Sequence, residues 1–161
     1  MEYRVIFDIS QGYQWPAFLL TASGIIGGSL LLVGYFFFTR SDHPNRNMQM
    51  LAVGVVLLSC TFFAVDSFAS TYPSYREYNY LLETGRAAVV EGLITDFRPE
   101  PWQGHAPPEQ FTVNDVTFVY SYFEVTQGFH TTEARGGPLR AGVYVRIHHV
   151  GNTILKLEVK P

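Results

Sequence analysis

The sequence predicts an α+β membrane protein: a two-helix transmembrane hairpin followed by a small five-stranded β-barrel. Three observations carry this. Residues 16–39 and 48–65 contain no charged side chain, and a helix needs roughly 20 apolar residues to cross a bilayer's hydrocarbon core. A polar turn containing Pro44 separates the two runs. From Arg86 onward the apolar period changes to two, the strand signature. The boundaries that follow are a leader at 1–14, the helix hairpin at 15–66, an interfacial connector helix within 67–85, and a barrel at 86–161.

The leader, MEYRVIFDISQGYQ, is a poor signal-peptide start because Glu2 and Asp8 offset Arg4, so the first apolar run reads as an uncleaved helix. Trp15 and Tyr35 suit the headgroup level at its two ends, and Arg40 marks its stop. Gly24, Gly27 and Gly28 form a small-residue face, with Gly24 and Gly28 at small-xxx-small spacing. Such a face allows close packing in lipid against the second helix or against another copy of the chain. Within 48–65, Ser59, Cys60 and Thr61 are expected to bond their own backbone. Nothing ionisable lies mid-membrane, which argues against an ion-coupled transporter.

The turn, residues 40–47, holds Arg40 and Arg46, against Arg4 in the leader and Arg76 after the second helix. Positive residues favour the cytoplasmic side. The expected location is therefore a bacterial inner (cytoplasmic) membrane, multi-pass, with the β-domain extracytoplasmic.

Ser74 and Glu77 have capping-box spacing after Pro73, and Gly85 supplies a stop, predicting a short helix over 75–84. Tyr72, Tyr75, Tyr78 and Tyr80 crowd this region, either at the membrane interface or packed on the domain. A first strand covers 87–97, with Gly92 as a bulge or bend. After a Pro- and Gly-rich loop at 98–108, residues 111–113 and 116–125 form a hairpin around Asn114-Asp115. A long loop at 126–141 precedes the clearest hairpin, 143–150 and 153–160 around Gly151-Asn152. In its last strand Leu155, Leu157 and Val159 face one way while Lys156, Glu158 and Lys160 face the other. Five strands in so short a segment suit a small closed or partly open barrel, in which closure removes sheet edges.

The ending LRAGVYVRIHHVGNTILKLEVKP is similar to the last two strands of the OB-like domains in NfeD-like membrane proteins, which implies an OB-like barrel. The usual OB helix has no counterpart, and the glycine-rich loop 127–141 stands in its place. The series VEGLITDF, GHAPPEQF, YSYF, GFHTT, GGPLR and VGNTILKLEV resembles an uncharacterised family of small bacterial two-helix membrane proteins, and that resemblance implies no activity. In layout the chain also resembles the two-helix β-barrel effectors of bacterial cyclic-nucleotide anti-phage systems.

The net charge of −3 leaves no basic footprint for nucleic acid. Cys60 is the single cysteine, so no intramolecular disulfide forms. No nucleophile motif, metalloprotease motif or phosphate loop is present, and no enzyme activity or cofactor is expected. His105 and Glu109 are four apart, but on a Pro-interrupted loop that denies them helical ligand geometry, so a metal site from these two and His130 of the second loop is set aside. His148 and His149 are strand neighbours and point to opposite faces.

The candidate ligand-binding residues are Trp102, Tyr120, Tyr122 and Phe129 for stacking, with Arg135 and Arg140 flanking Gly136 and Gly137. The N–H groups of those two glycines are expected to form an anion nest. Two functions follow. The first is a non-enzymatic module held by its helices, binding a protein, peptide or envelope component at the membrane surface. The alternative is a cyclic-nucleotide-gated effector whose helices self-associate and disrupt the bilayer. The lipid bilayer is the expected partner in both.

Overall fold

The computed structural model describes residues 2–13, 26–30, 33–34, 46–102, 107–124 and 126–160. The chain divides into two units: Trp15–Tyr72, and a second made of Met1–Gln14 together with Pro73–Pro161.

Among the described residues there is one long helix, α1, Arg46–Glu83. Its segment Gly54–Glu83 is long and apolar enough to cross a membrane. Leu58, Phe62, Phe63 and Val65 are exposed along it. Ser59 Oγ donates to Val55 O and Thr61 Oγ1 to Leu57 O, both at 2.9 Å, so these hydroxyls do bond their own backbone.

The expected two-helix hairpin is corrected to this single helix. α1 begins inside the polar turn, at Arg46, and runs past both Val65 and Pro73 to Glu83. Proline removes one N–H from the helical ladder and crowds the carbonyl four residues back. The turns beyond Pro73 are held instead by packing, with Tyr75, Tyr78 and Leu82 against Ile9, Ala87 and Leu155. The separate connector helix is thus the end of α1. Gly85, at φ +66°, terminates it as expected, and Arg86 N donates back to Leu81 O. Of the expected first span, residues 26–30 and 33–34 are helical. Gly24 lies outside the described residues, and among the described residues no packing neighbour lies within 4 Å of where a Cβ would stand on Gly27 or Gly28. A multi-pass placement therefore has one candidate spanning helix among the described residues.

The second unit carries six strands: β1 (Arg4–Asp8), β2 (Ala88–Arg98), β3 (Glu109–Val113), β4 (Val116–Tyr120), β5 (Tyr144–Val150) and β6 (Thr153–Val159). They form one antiparallel sheet in the order β1-β6-β5-β2-β3-β4. The five-stranded closed barrel is corrected to this six-stranded open sheet. The extra strand comes from the leader, where Arg4 pairs with Val159 and Asp8 with Lys156. Five residues carrying two charges give a faint strand signal alone; β6, more than 140 positions away, supplies the ladder.

β2 serves both halves of the sheet. Residues 88–93 pair with β5, and 94–98 pair with β3. The irregularity falls between Thr95 and Arg98, where Asp96 adopts φ +48°, a left-handed conformation that Asp tolerates better than most residues. Gly92 is regular, opposite Val145. Its glycine matters for close approach instead, because a Cβ there would stand 3.0 Å from Asn114 Oδ1.

The main core gathers Ile94, Phe111, Val113, Phe118, Val145, Ile147 and Leu157. A register shift between His148 and His149 lets Ile154 join that core while Leu155 packs toward the helix end. His149 meets Phe118 edge-on at 5.1 Å, and His148 lies 3.9 Å from Glu158. Across the outer face, Glu91, Arg146 and Glu158 are successive cross-strand partners, with Arg146 Nε 2.7 Å from Glu91 and Lys156 Nζ 3.1 Å from Glu158. This ladder is sheet stabilisation.

Candidate functional site

Two buried carboxylates organise the loops beyond β3 and β4. Glu109 opens β3 directly opposite Tyr120, the last residue of β4, and is fully buried. The Tyr120 hydroxyl donates to Glu109 Oε1, and the Glu133 N–H donates to Oε2 at 2.8 Å. Burial raises the Glu109 carboxyl above its ordinary pKa, against the opposing pull of Tyr120 and of the Glu133 and Glu100 amides. Burial also raises the Tyr120 phenol, and its bond to Glu109 adds to that, so the phenol remains a donor. Glu100, also buried, accepts from Ser121 Oγ at 2.7 Å and from Tyr122 N at 3.0 Å.

Each carboxylate therefore pins a loop. Glu100 holds the turn after β4 to the segment after β2. Glu109 holds the short 3-10 helix Glu133–Arg135 to the sheet, at a helix start whose N-cap, Thr132, makes no side-chain cap bond. Backbone donors satisfied by buried anions fix loops firmly, since freeing them would leave both partners unpaired.

The two loops bring an arginine against three aromatic rings. The Arg135 guanidinium carbon lies 3.8 Å from the Trp102 ring centroid, 4.5 Å from Tyr122 and 5.6 Å from Phe123. Tyr122 and Phe123 meet edge-on at 5.6 Å. Trp102 is 64% exposed, Phe123 57% and Tyr122 48%. Among the described residues, no side chain forms an ion pair or hydrogen bond with this guanidinium. Phe123 also borders an open recess of about 550 Å³ lined with Pro108, Val119, Ser121 and Asn152.

Of the expected ligand-binding residues, Trp102, Tyr122 and Arg135 thus converge. Tyr120 and Phe129 do not; both are core residues, meeting edge-on at 5.6 Å. The Gly136 and Gly137 amides donate to Glu133 O at 3.0 Å and Thr132 O at 2.8 Å, so they close the turn and leave no anion nest. Gly137 is required because a Cβ would collide with the Thr131 and Thr132 carbonyls. Arg140 Nε is taken by Glu133 Oε1 at 2.9 Å.

Sequence reasoning missed Phe123. A strand over 116–125 puts 122 and 123 on opposite faces, whereas β4 ends at Tyr120 and a turn closed by Glu124 N to Ser121 O follows. The adjacent aromatics in the quoted YSYF were the available signal.

His130 has a superficially catalytic setting, with Thr126 Oγ1 3.2 Å from Nε2 and Glu124 Oε2 3.9 Å from Nδ1. Nε2 also lies 2.9 Å from the Thr126 carbonyl, which only accepts, so Nε2 carries the proton and cannot act as base for Thr126. Glu109 spends both oxygens internally and His105 lies outside the described residues. Among the described residues no group of His, Cys, Asp and Glu is arranged to hold a metal.

Comparison of the chain with protein-family models, with curated proteins and with solved structures finds no match.

Proposed function

We propose that this chain is a membrane-tethered, non-enzymatic binding module. The apolar helix segment Gly54–Glu83 is the tether, and the sheet unit presents the Trp102–Tyr122–Phe123–Arg135 cluster to a component of the membrane surface. The observation that carries the reading is the cluster itself: an arginine oriented by three rings that remain substantially exposed. Trp, Tyr and Arg are the residue types that dominate recognition hot spots. The adjacent recess falls within the roughly 300–1,000 Å³ range of ligand sites. A non-enzymatic role is supported by how the nearby ionisable groups are used. Glu100, Glu109 and His130 all serve backbone groups and nearby hydroxyls, which suits loop bracing better than proton transfer.

The test has two arms. Full-length chain in native membranes is expected to resist extraction by alkaline carbonate, and release into the supernatant would remove the tether. In a Trp15→Phe background, Trp102 is the only indole. Iodide quenching of its fluorescence is expected to be weaker in native membranes than in detergent, because the cluster is covered there. Equal quenching in both would remove the recognition role.

A further inference from the structure

We infer that the Arg135 cluster is a receptor for the phosphodiester of an anionic phospholipid headgroup, giving the sheet unit its own contact with a lipid surface. This deepens the proposal above and rests on it for the nearness of a bilayer. Four features lead there.

The first is the arginine's orientation. Rings at 3.8 and 4.5 Å hold the guanidinium by its face, and its N–H edge has no protein acceptor among the described residues. A planar guanidinium presents paired donors along its edge, matching two oxygens of one anion.

The second is charge. Arg140, the neighbouring cation, is already paired with Glu133, so among the described residues the cluster's own cation, Arg135, is left to face a ligand. A singly charged anion complements it, and a phosphodiester is singly charged.

The third is the wall chemistry. Trp102, Tyr122 and Phe123 are among the large apolar side chains left exposed on the sheet unit, and they stand together. Tryptophan and tyrosine settle at the headgroup level, where the ring is desolvated and its polar edge stays wet. A soluble oxyanion would engage Arg135 and leave the rings in water; a headgroup in its bilayer covers both.

The fourth is effective concentration. A single arginine contributes only about 1 kcal/mol near an anionic surface. A chain tethered through its own helix holds the cluster at millimolar-scale effective concentration of lipid, so a weak contact suffices.

The experiment places full-length chain with Trp15→Phe in nanodiscs of phosphatidylcholine alone, or with about one third phosphatidylglycerol, using brominated acyl chains to quench Trp102. Quenching is expected to be stronger with phosphatidylglycerol and to fall as salt rises. Arg135→Gln is expected to reduce apparent affinity for phosphatidylglycerol at least about fivefold. Arg135→Lys retains part of it, and Lys160→Gln, a charge removed from beside Tyr144, leaves it unchanged. Thermal unfolding of each variant checks that the fold persists.

Equal quenching in both lipids would mean that an uncompensated anionic headgroup is not selected, since phosphatidylcholine carries the same phosphodiester beside its own cation. Equal quenching in Arg135→Gln would mean aromatic insertion without phosphodiester recognition. Either result overturns the proposal. Loss of iodide quenching on adding soluble dibutyl phosphate or acetate, with no bromolipid quenching, would identify a soluble oxyanion site and overturns it equally. A chain that fails to enter nanodiscs sinks the tether alone. Its cosedimentation with phosphatidylglycerol vesicles then decides the headgroup site: Arg135-dependent pelleting supports it, and absence of pelleting refutes it.

Discussion

The carboxamide of Asn152 stands beside Val119 where a neighbouring strand would. Its Oδ1 accepts from Val119 N at 2.7 Å, and its Nδ2 donates to Val119 O. β4 is an edge of the sheet, and unpaired edge groups invite pairing with other chains. One side chain from the β5–β6 turn blunts that edge without closing a barrel. Asn152→Ala is expected to destabilise the sheet unit by about 1–2 kcal/mol, with a Tm fall on the order of 5 °C or more and faster amide exchange at Val119. Asn152→Asp keeps the acceptor but sets oxygen against oxygen, so it should not rescue. Unchanged exchange at Val119 would refute the bridging role.

Glu109 predicts a stability trend opposite to ordinary acid denaturation. Its carboxyl pKa is raised, chiefly by burial, so the folded chain holds this proton more tightly than the unfolded chain. Between the ordinary carboxyl value and the raised one, the folded state binds more protons. The stability contribution is fully present below the ordinary value and is lost as pH rises through the folded value. The Tm of the native chain relative to Glu109→Gln should therefore improve as pH is lowered from 8 to 4. A gap that stays constant over that range would show that Glu109 titrates normally.

Tyr120→Phe leaves Glu109 Oε1 buried without its donor. A cost of about 1–3 kcal/mol is expected. The lost bond favours the ionised carboxylate, so the carboxyl should rise further and the same pH window should extend upward. Urea unfolding at two pH values reads both effects, and a cost no larger than that of an exposed Tyr→Phe change would contradict the buried brace.

Gly137→Ala forces a methyl against the Thr131 and Thr132 carbonyls, with the Thr132 oxygen 2.8 Å away. Backbone oxygens do not yield as side-chain tips do. A loss of roughly 1–3 kcal/mol is expected, together with displacement of Arg135 from Trp102, visible as a change in Trp102 emission in the Trp15→Phe background. Retained stability and emission would show the loop to be looser than its contacts imply.

Trp102→Ala and Arg135→Ala should be non-additive, with a coupling of about 0.5–1 kcal/mol in a double-mutant cycle on thermal unfolding. A coupling of zero would mean that the stacked arrangement at 3.8 Å does not persist in solution.

Several features were legible because they are local. The charge-free run at 48–65 reports a helix that water does not favour, and Gly85 marks its end. Asn114, at φ +51°, and Gly151, at φ +56°, sit in the two hairpin turns their chemistry suggested. Residue type alone nominated Trp102, Tyr122 and Arg135, since exposed aromatics and arginine in Gly-rich loops are recognition chemistry.

Other features depended on partners distant in sequence. Arg4–Asp8 becomes a strand only when β6 offers its edge. α1 continues through Pro73 because Tyr75, Tyr78 and Leu82 find a core to bury against. The register irregularity around Asp96 arises where β2 pairs with β3. The Gly136-Gly137 amides close their own turn because Gly137 packs against the Thr132 carbonyl. By itself the sequence determined the apolar helical run at 48–65 and the hairpin turns at Asn114 and Gly151, because backbone preference and hydrophobic period act over a few residues. The tertiary structure decided which of those segments pair, and it left Trp102, Tyr122, Phe123 and Arg135 together and outward. Buried Glu100 and Glu109, each reaching across more than twenty residues to a loop amide, brace that arrangement.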